Sequence, residues 1–284
     1  MTTISRAVLV TGCSSGIGRE TATLFARQGW TVYATARDPD SIADLEREGC
    51  RLLALDVTDG TSCAAAVDAV VAAEGAVGVL VNNAGVNELG AFETVSMDRV
   101  RTMFDTNLFG LMRLSQLVLP GMRAQRWGRI VNVGSMNGSF AFPGMAAYSA
   151  TKHGIAAVSD ALRFELRPFG VDVALIEPGM VKTPLASSAV SRRDAAADGV
   201  WADYNERVAK SALAASDGPM AAFACEPADV ARAIITAAAV GRPRSRYRVA
   251  PSARVLLTAR KLLPDRAFDA LLRRLVPVPT ARRG

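Results

Sequence analysis

Three side chains in the middle of the chain have the types and spacing needed to move a proton to or from a carbonyl or alcohol oxygen. Ser135 lies thirteen residues before Tyr148, and Lys152 follows four residues after the tyrosine. A four-residue spacing on a helix puts Tyr148 and Lys152 on one face. A tyrosine with a pKa of about 10 is a weak acid–base group at neutral pH. We therefore expect the Lys152 ammonium to lower the pKa of Tyr148, and Ser135 to stabilise charge on the reacting oxygen.

A glycine-rich segment near the start of the chain has the features of a phosphate-binding loop. Residues 11–18, TGCSSGIG, follow an apolar run and open a helical stretch. The glycines let the backbone turn tightly and approach a pyrophosphate, which then lies at a helix N-terminus. The spacing is GxxxGxG, not the usual GxGxxG, and taken alone it also fits ordinary turn chemistry. The residues expected to contact the phosphates are Gly12, Ser14, Ser15, Gly16, Ile17 and Gly18.

Short apolar runs alternate with helical stretches along most of the chain. Runs such as VLV, VLVN and VALI are continuously apolar, which is typical of strands buried on both faces of a parallel sheet. The pattern predicts an α/β fold with a doubly wound parallel sheet of the Rossmann type. Helices are expected at about 17–28, 97–125, 147–167 and 226–240. We expect one domain over residues 1–250, in which the poorly patterned residues 180–225 form a substrate lid.

Composition excludes several classes of protein. The single histidine, His153, and four scattered cysteines provide too few ligands for a zinc site, so no metal is expected. Residues 242–284 hold twelve Arg or Lys and two Asp, whereas the rest of the chain is net acidic. The basic character therefore belongs to a tail and does not indicate nucleic-acid binding by the fold. Without a signal-peptide core or a long apolar span, the sequence favours a soluble protein of the reducing cytoplasm.

With its other motifs the sequence resembles the classical short-chain dehydrogenase/reductase family over roughly residues 4–240. The resemblance rests on TGCSSGIG, on the NNAG segment at 82–85, and on four residues matching the family's catalytic set: Asn107, Ser135, Tyr148 and Lys152. It implies that Asn107 holds a water molecule linking Lys152 to solvent as a proton relay. It also implies cofactor contacts, beyond the glycine loop, from Asp56, Val57, Asn83, Ala84, Gly85, Tyr148, Lys152, Pro178, Gly179 and Thr183. Family members pair through helices matching 97–125 and 147–167, which implies a homodimer or homotetramer.

The second strand favours NADP(H) as the cofactor. An acidic residue at the end of this strand binds the ribose hydroxyls of NAD, whereas an arginine accommodates the 2′-phosphate of NADP. By the family resemblance the acidic residue would lie at Ala36, and Arg37 follows it. Arg37 can make a charge-assisted contact with the phosphate. The alternative is NAD(H), with Asp38 on the ribose and Arg37 paired to Asp38.

The residues expected around the substrate are largely apolar. They are Ser135, Met136, Asn137, Phe142, Met145 and Met180. Such a wall suits a hydrophobic secondary alcohol or its ketone. Finer resemblance is to the branch of 17-beta-hydroxysteroid and retinol dehydrogenase-like enzymes. Two alternatives are a ketoreductase for acyl thioesters, with Arg192 and Arg193 contacting the carrier, and a non-catalytic NADP-binding redox sensor.

Residues 251–284 are interpreted as a basic amphipathic extension packed on the domain. Leucines alternate with arginines there, and Pro264 divides the segment into two short helices. The favoured interpretation is a helix pair that covers the sheet edge or the substrate pocket. A peripheral contact with a membrane surface is the alternative that the sequence alone does not favour.

Overall fold

Seven parallel strands form one sheet, in the order β3-β2-β1-β4-β5-β6-β7. The computed structural model describes residues 4–193, 199–217 and 222–279. The strands are β1 (Val8–Val10), β2 (Val32–Ala36), β3 (Cys50–Ala54), β4 (Val79–Asn82), β5 (Gly128–Val133), β6 (Val171–Pro178) and β7 (Arg246–Val249). The chain starts in the middle of the sheet and returns to it at β4, so the strand order reverses between β1 and β4. Ligand crevices of such sheets form at this reversal, beyond the carboxyl ends of the strands.

Ten helices connect or follow the strands of the described chain. They are α1 (Gly16–Arg27), α2 (Gly60–Glu74), α3 (Met97–Phe104), α4 (Gly110–Ala124), α5 (Ala146–Leu166), α6 (Leu185–Ser191), α7 (Ala202–Asp217), α8 (Pro227–Ala239), α9 (Pro251–Leu262) and α10 (Asp265–Leu275). Helices α1 and α8 pack together on one face of the sheet, and α2 and α4 lie on the other. Each face thus has its own apolar core, as continuously apolar strands require. The predicted doubly wound parallel α/β fold is confirmed.

The stretch predicted as one helix at 97–125 is interrupted. Between α3 and α4 the backbone makes a π-helical turn over Asp105–Phe109. The Asn107 side chain lies inside this turn, where its Oδ1 accepts from Val86 N at 2.7 Å and its Nδ2 donates to Val86 O at 2.9 Å. Single π turns inside α-helices are often found at functional sites. Apolar periodicity does not detect them, because one extra residue only rotates the pattern.

The region that the sequence predicts to be a lid, called the lid region below, has more regular structure than its sequence suggested. Residues 180–225 include α6 and α7, although residues 194–198 and 218–221 lie outside the described part. Helix α7 is fixed to the body of the protein by polar contacts. Asn205 Oδ1 accepts from Ala91 N at 2.7 Å, and Trp201 Nε1, just before α7, donates to Glu93 Oε2 at 2.8 Å.

Helices α9 and α10 pack an apolar face over the loop that follows β5. Phe268 is 2 % exposed and makes an edge-to-face contact with Phe140, with 5.2 Å between the ring centroids. Leu272 and Leu256 join the same cluster beside Met136. The two helices meet at Pro264, where the sequence predicted a break. Residues 280–284 of the extension lie outside the described part.

Phe268→Ala should loosen this extension. Deleting a buried phenylalanine leaves a cavity and costs about 3–5 kcal/mol. We expect either a loss of that size in the free energy of unfolding, measured in urea, or faster proteolysis within residues 251–279 if the extension detaches alone. The control is Phe164→Ala, since Phe164 is 74 % exposed and its loss should change stability by at most about 0.5 kcal/mol. Equal effects of the two substitutions would contradict the packing described.

Candidate active site

Ser135, Tyr148 and Lys152 converge at the carboxyl end of β5. Ser135 follows Gly134, the first residue after β5. Tyr148 and Lys152 lie one turn apart near the start of α5. Lys152 is 6 % exposed, and its Nζ donates to Val133 O at 3.0 Å. The same nitrogen lies 5.5 Å from the centroid of the Tyr148 ring. The structure therefore brings together the three residues on which the chemical prediction was based.

The electrostatics of Tyr148 differ from the expectation. Burial raises the pKa of Tyr148 to about 12, and a hydrogen bond with Ser135 only partly opposes this. The lowering expected from Lys152 is therefore not found in the protein without its cofactor, because desolvation of the buried tyrosinate has the largest effect on this pKa. Tyr148 is therefore a neutral hydroxyl, able to donate a proton, throughout the physiological pH range.

Lys152 is perturbed in the opposite direction. Burial lowers the pKa of Lys152 to about 8, because the ammonium loses hydration. Its one hydrogen bond is to a neutral carbonyl, and no carboxylate of the described residues pairs with it. The amine therefore changes charge close to neutral pH, unlike a lysine on the surface.

Asn107 lies one layer behind these three residues. It is 1 % exposed, and besides its two bonds to Val86 its Nδ2 donates to Thr151 Oγ1 at 3.1 Å. Thr151 in turn donates to Tyr148 O at 2.7 Å. Asn107 thus connects the π turn to the start of α5. Its side chain does not line the cleft described below.

The glycine loop fits closely against the end of β4. A Cβ at Gly12 would lie 2.9 Å from Ala84 Cα, and one at Gly18 would overlap Gly12 O. Asn83 Nδ2 donates to Thr11 O at 2.9 Å and to Gly12 O at 3.2 Å. Sequence reasoning missed Thr11, whose Oγ1 accepts from the backbone N of Asn83 and of Ala84, both at 2.9 Å. The feature of the sequence that could have identified Thr11 is its position between β1 and Gly12.

The N-terminus of α1 is suited to an anion. Ser15 is the N-cap, but its side chain makes no capping hydrogen bond, and the first turn contains no acidic residue. The free N–H groups of that turn and the helix dipole therefore favour negative charge there. Gly16 approaches the loop after β6, since a Cβ at Gly16 would lie 3.0 Å from Thr183 Cγ2. The two loops thus enclose one crevice.

The end of β2 presents one cation to the same cleft. Arg37 is exposed and forms no ion pair within the described ranges, so the expected alternative of an Arg37–Asp38 pair is not found. Asp38 instead caps the 3-10 helix Pro39–Glu46, with Asp38 Oδ1 accepting from Asp40 N at 3.1 Å. The Arg37 charge lies near Asp56. Burial acts to raise the pKa of Asp56, but hydrogen bonds from Thr58 and the Arg37 charge lower it.

A cleft of ≈ 650 Å³ continues from the glycine loop to the lid. Its wall includes the catalytic candidates Ser135, Tyr148 and Lys152 and all the residues predicted around the substrate: Met136, Asn137, Phe142, Met145 and Met180. It also includes every predicted cofactor residue except Gly18, which is buried behind the loop: Gly12, Ser14, Ser15, Gly16, Ile17, Arg37, Asp56, Val57, Asn83, Ala84, Gly85, Pro178, Gly179 and Thr183. The sequence did not identify Leu256, Leu275, Val276 and Pro277 of the extension as lining residues. The amphipathic pattern of the extension is the feature of the sequence that could have identified these lining residues.

Arg192, expected to contact a carrier, and the single histidine, His153, both contact backbone oxygens of the chain. Arg192 lines the cleft at the lid, but its Nη2 donates to Asn87 O at 2.9 Å and its Nε lies 3.5 Å from Glu88 Oε1. It therefore ties the lid to the loop after β4. His153 is exposed, and its Nδ1 lies 2.8 Å from Ser149 O within α5.

Known proteins share both the sequence pattern and the fold. The model of the short chain dehydrogenase family matches residues 6–194. A 3-ketodihydrosphingosine reductase of Bacteroides thetaiotaomicron is 33% identical over 94% of this chain and 96% of its own length. An NADPH-dependent 3-dehydrocapnine reductase of Ornithobacterium rhinotracheale is 32% identical over 94% and 95%. Among solved structures, the closed form of serine dehydrogenase complexed with NADP+ superposes with a TM-score of 0.74, at 28% identity over 86% of this chain and 94% of that chain.

Gly18→Ala should separate loop geometry from overall folding. The added methyl would overlap Gly12 O and the Asn83 amide, so the loop must shift away from its phosphate-binding conformation. We expect the NADPH dissociation constant, measured by fluorescence titration, to rise at least about tenfold, the equivalent of one hydrogen bond to a charged group. Gly241→Ala is the matched control, because nothing lies within 4 Å of its added Cβ. An unchanged dissociation constant in Gly18→Ala would show that the loop does not hold phosphate.

Proposed function

The chain belongs to the short-chain dehydrogenase family and is an NAD(P)-dependent oxidoreductase; from this premise we propose which reaction it catalyses. The reaction is the reversible reduction of a lipophilic ketone to a secondary alcohol by NADPH. The observation that carries the proposal is one continuous cleft. Glycine-loop residues line one end of it, Ser135, Tyr148 and Lys152 its middle, and methionine and phenylalanine side chains its far end. A dinucleotide and an apolar substrate can therefore meet at the tyrosine.

NADP(H) is the preferred cofactor. Arg37 is available at the end of β2 for a 2′-phosphate, while Asp38 is used as a helix cap. The serine dehydrogenase neighbour was solved with NADP+, and the Ornithobacterium relative is NADPH-dependent by name. Arginine rather than an acid at this position is the feature that accommodates the extra phosphate.

The residues present fit this dinucleotide. The glycine loop and the uncapped N-terminus of α1 would hold the pyrophosphate. By the family resemblance, Asp56 and Val57 would contact the adenine, Asn83–Gly85 would lie beside the middle of the cofactor, Pro178, Gly179 and Thr183 would lie beside the nicotinamide, and Lys152 would bind its ribose. When bound, the nicotinamide supplies the hydride.

Proton transfer is the task of the protein's own side chains. Ser135 Oγ hydrogen-bonds the substrate oxygen and stabilises the negative charge that develops on it. Tyr148 donates its hydroxyl proton to that oxygen, which leaves a tyrosinate. The Lys152 ammonium favours this tyrosinate electrostatically, although burial alone opposes it. By the family resemblance, Asn107 would hold a water molecule that connects Lys152 to solvent so that the proton is replaced; its side-chain amide is bonded to Val86 and Thr151, which leaves this contact to its backbone.

The substrate class follows from the apolar end of the cleft. Met136, Phe142, Met145 and Met180 form adaptable walls, and Leu256 and Leu275 extend them. Two relatives are named as reductases of 3-ketodihydrosphingosine and of 3-dehydrocapnine, so the first of these compounds is the first to test. The likeness to steroid and retinol dehydrogenases stays a prediction, as does a homo-oligomer.

Tyr148→Phe tests the function directly. NADPH oxidation is followed with 3-ketodihydrosphingosine, hexadecan-2-one and cyclohexanone, and the wild type should turn over the lipophilic ketones. The variant should lose about 10²–10⁴-fold in kcat, because only the proton donor is removed, while its NADPH affinity stays nearly unchanged. Turnover of no ketone by the wild type, with NADPH still bound, would favour the redox-sensor alternative. More than a few per cent of the wild-type kcat in the variant would disprove the role of Tyr148.

The pH dependence of reduction should follow Lys152. Its ammonium predominates below pH 8 and is lost above it, since burial lowers the pKa of Lys152 to about 8. Tyr148, with its pKa raised to about 12, stays protonated over this range. We expect kcat/KM for ketone reduction to be level near pH 7 and to fall above pH 8. Lys152→Arg, whose charge persists, should move the fall to higher pH; an unmoved fall would assign it to another group.

Replacing Ala36 by Asp and Arg37 by Ile should reverse the cofactor preference. The acid would accept the ribose hydroxyls of NAD(H) and repel a phosphate. Loss of a charge-assisted hydrogen bond costs about 1.5–3 kcal/mol, which is one to two decades of selectivity. The measurement is kcat/KM with each cofactor at low and high salt. A double variant that still prefers NADP(H) would assign the phosphate contact to the glycine loop.

A further inference from the structure

The outer face of α9 carries two parallel rows of side chains that the fold does not use. Val255 and Leu262 are seven residues apart, two helical turns, and therefore lie in one row; they are 56 % and 74 % exposed. Arg254 and Lys261, likewise seven apart, form the adjacent row and are exposed. The inner face of the same helix is buried through Leu256 and Leu257. Helix α9 thus buries one apolar face and exposes a second face that carries both cationic and apolar side chains.

The corner between α9 and α10 extends the pattern. Leu263 follows Leu262 and is 36 % exposed, and Arg266 begins the outer face of α10, opposite the buried Phe268 and Leu272. Two adjacent leucines therefore reach solvent between Lys261 and Arg266. We call Arg254, Val255, Lys261, Leu262, Leu263 and Arg266 the α9–α10 surface.

The cations of this surface have no counterion in the described part of the chain. No salt bridge involves Arg254, Lys261 or Arg266, whereas the neighbouring Arg260 pairs with Asp265 at 2.6 Å and lies over the Phe268 ring. Internal ion pairing therefore does not explain the three free charges. The segment from residue 242 onward also carries the excess positive charge of the whole chain.

We propose that the α9–α10 surface docks on an anionic lipid bilayer. Exposed leucines flanked by lysine and arginine combine burial in the interfacial layer with attraction to acidic headgroups. No described helix is long and apolar enough to span the bilayer, so the contact is peripheral. A second copy of the chain is the poorer occupant, because a symmetric contact would bring like charges together.

The α9–α10 surface lies on the outside of the two helices whose other residues contribute to the wall of the substrate cleft. Leu256 on the inner face of α9 lines the cleft, as do Leu275 at the end of α10 and Val276 and Pro277 after it. Docking would therefore hold the protein at the lipid in which a lipophilic ketone is dissolved, with α9 between the bilayer and the cleft. Delivery of such a ketone rests on the proposed function; the docking does not.

Vesicle flotation of the full chain tests the docking. The wild type should float with vesicles in which about a third of the lipid is phosphatidylglycerol, and it should not float with vesicles of pure phosphatidylcholine. It should be released from the anionic vesicles near 0.5 M salt, because the electrostatic screening length there is only about 4 Å. Lys261→Gln with Arg266→Gln should weaken binding about 30-fold, at about fivefold per charge. Leu262→Ser with Leu263→Ser should weaken it at least about tenfold.

Matched controls remove the same chemistry elsewhere. Arg47→Gln with Arg242→Gln deletes two other exposed arginines, and Val71→Ser with Val200→Ser deletes two other exposed apolar side chains. These pairs should bind vesicles like wild type. Equal weakening by the control pairs, or flotation of the wild type with neither vesicle, would overturn the proposal. So would a change in oligomeric state, by analytical ultracentrifugation, in Leu262→Ser/Leu263→Ser without a change in flotation.

A kinetic comparison separates docking from chemistry. With hexadecan-2-one held in the anionic vesicles, Leu262→Ser/Leu263→Ser should lower kcat/KM about as much as it lowers binding, while kcat/KM for dissolved cyclohexanone stays at the wild-type value. An equal loss for both ketones would overturn the delivery role. Flotation without turnover of either ketone by the wild type would leave the docking supported and refute the proposed function.

Discussion

The amine of Lys152 is buried at the carboxyl end of β5, and among the described residues it has no acidic partner. Lowering a lysine pKa from its ordinary value to about 8 corresponds to roughly 3 kcal/mol against the charged form. Within residues 4–193, 199–217 and 222–279, the hydrogen bond that partly offsets this cost is the one to Val133 O. Such a cost is tolerable where charge is needed close to a reacting group, and it is seldom accepted elsewhere.

Holding Lys152 and Tyr148 in place depends on polar contacts that cross the sheet. Asn82 Nδ2 donates to Asn132 Oδ1 at 2.9 Å, and Asn132 Nδ2 donates to Ser159 Oγ, also at 2.9 Å. This chain of hydrogen bonds joins β4, β5 and α5. Ser159 lies two turns after Lys152, so the bonds fix the helix along and around its axis. Buried and fully directional, they determine geometry more strictly than apolar packing does.

The sequence predicted the catalytic and phosphate-binding residues better than it predicted the structure around them. Residues with directional roles, such as the loop glycines and the Tyr148–Lys152 pair, have types and spacings that few other structures require, and they occupy one cleft as expected. The π turn at Asn107 escaped prediction because one extra residue only rotates the apolar pattern, and the bonds of Asn107 to Val86 join residues distant in sequence. The raised pKa of Tyr148 in the protein without its cofactor was not expected from the sequence, since burial depends on packing that spacing does not reveal.

The apolar end of the cleft is held together by non-directional packing. For this reason the substrate is the part of the function that the sequence predicts least well. The walls of this end come from the loop after β5, the lid and the extension, and they are held by contacts such as Phe140 on Phe268. Apolar attraction is non-directional and scales with buried area, so many side-chain sets of similar volume can build such a wall. The catalytic end requires particular atoms at particular places. The far end requires only enough apolar surface, shaped by whichever segments pack there.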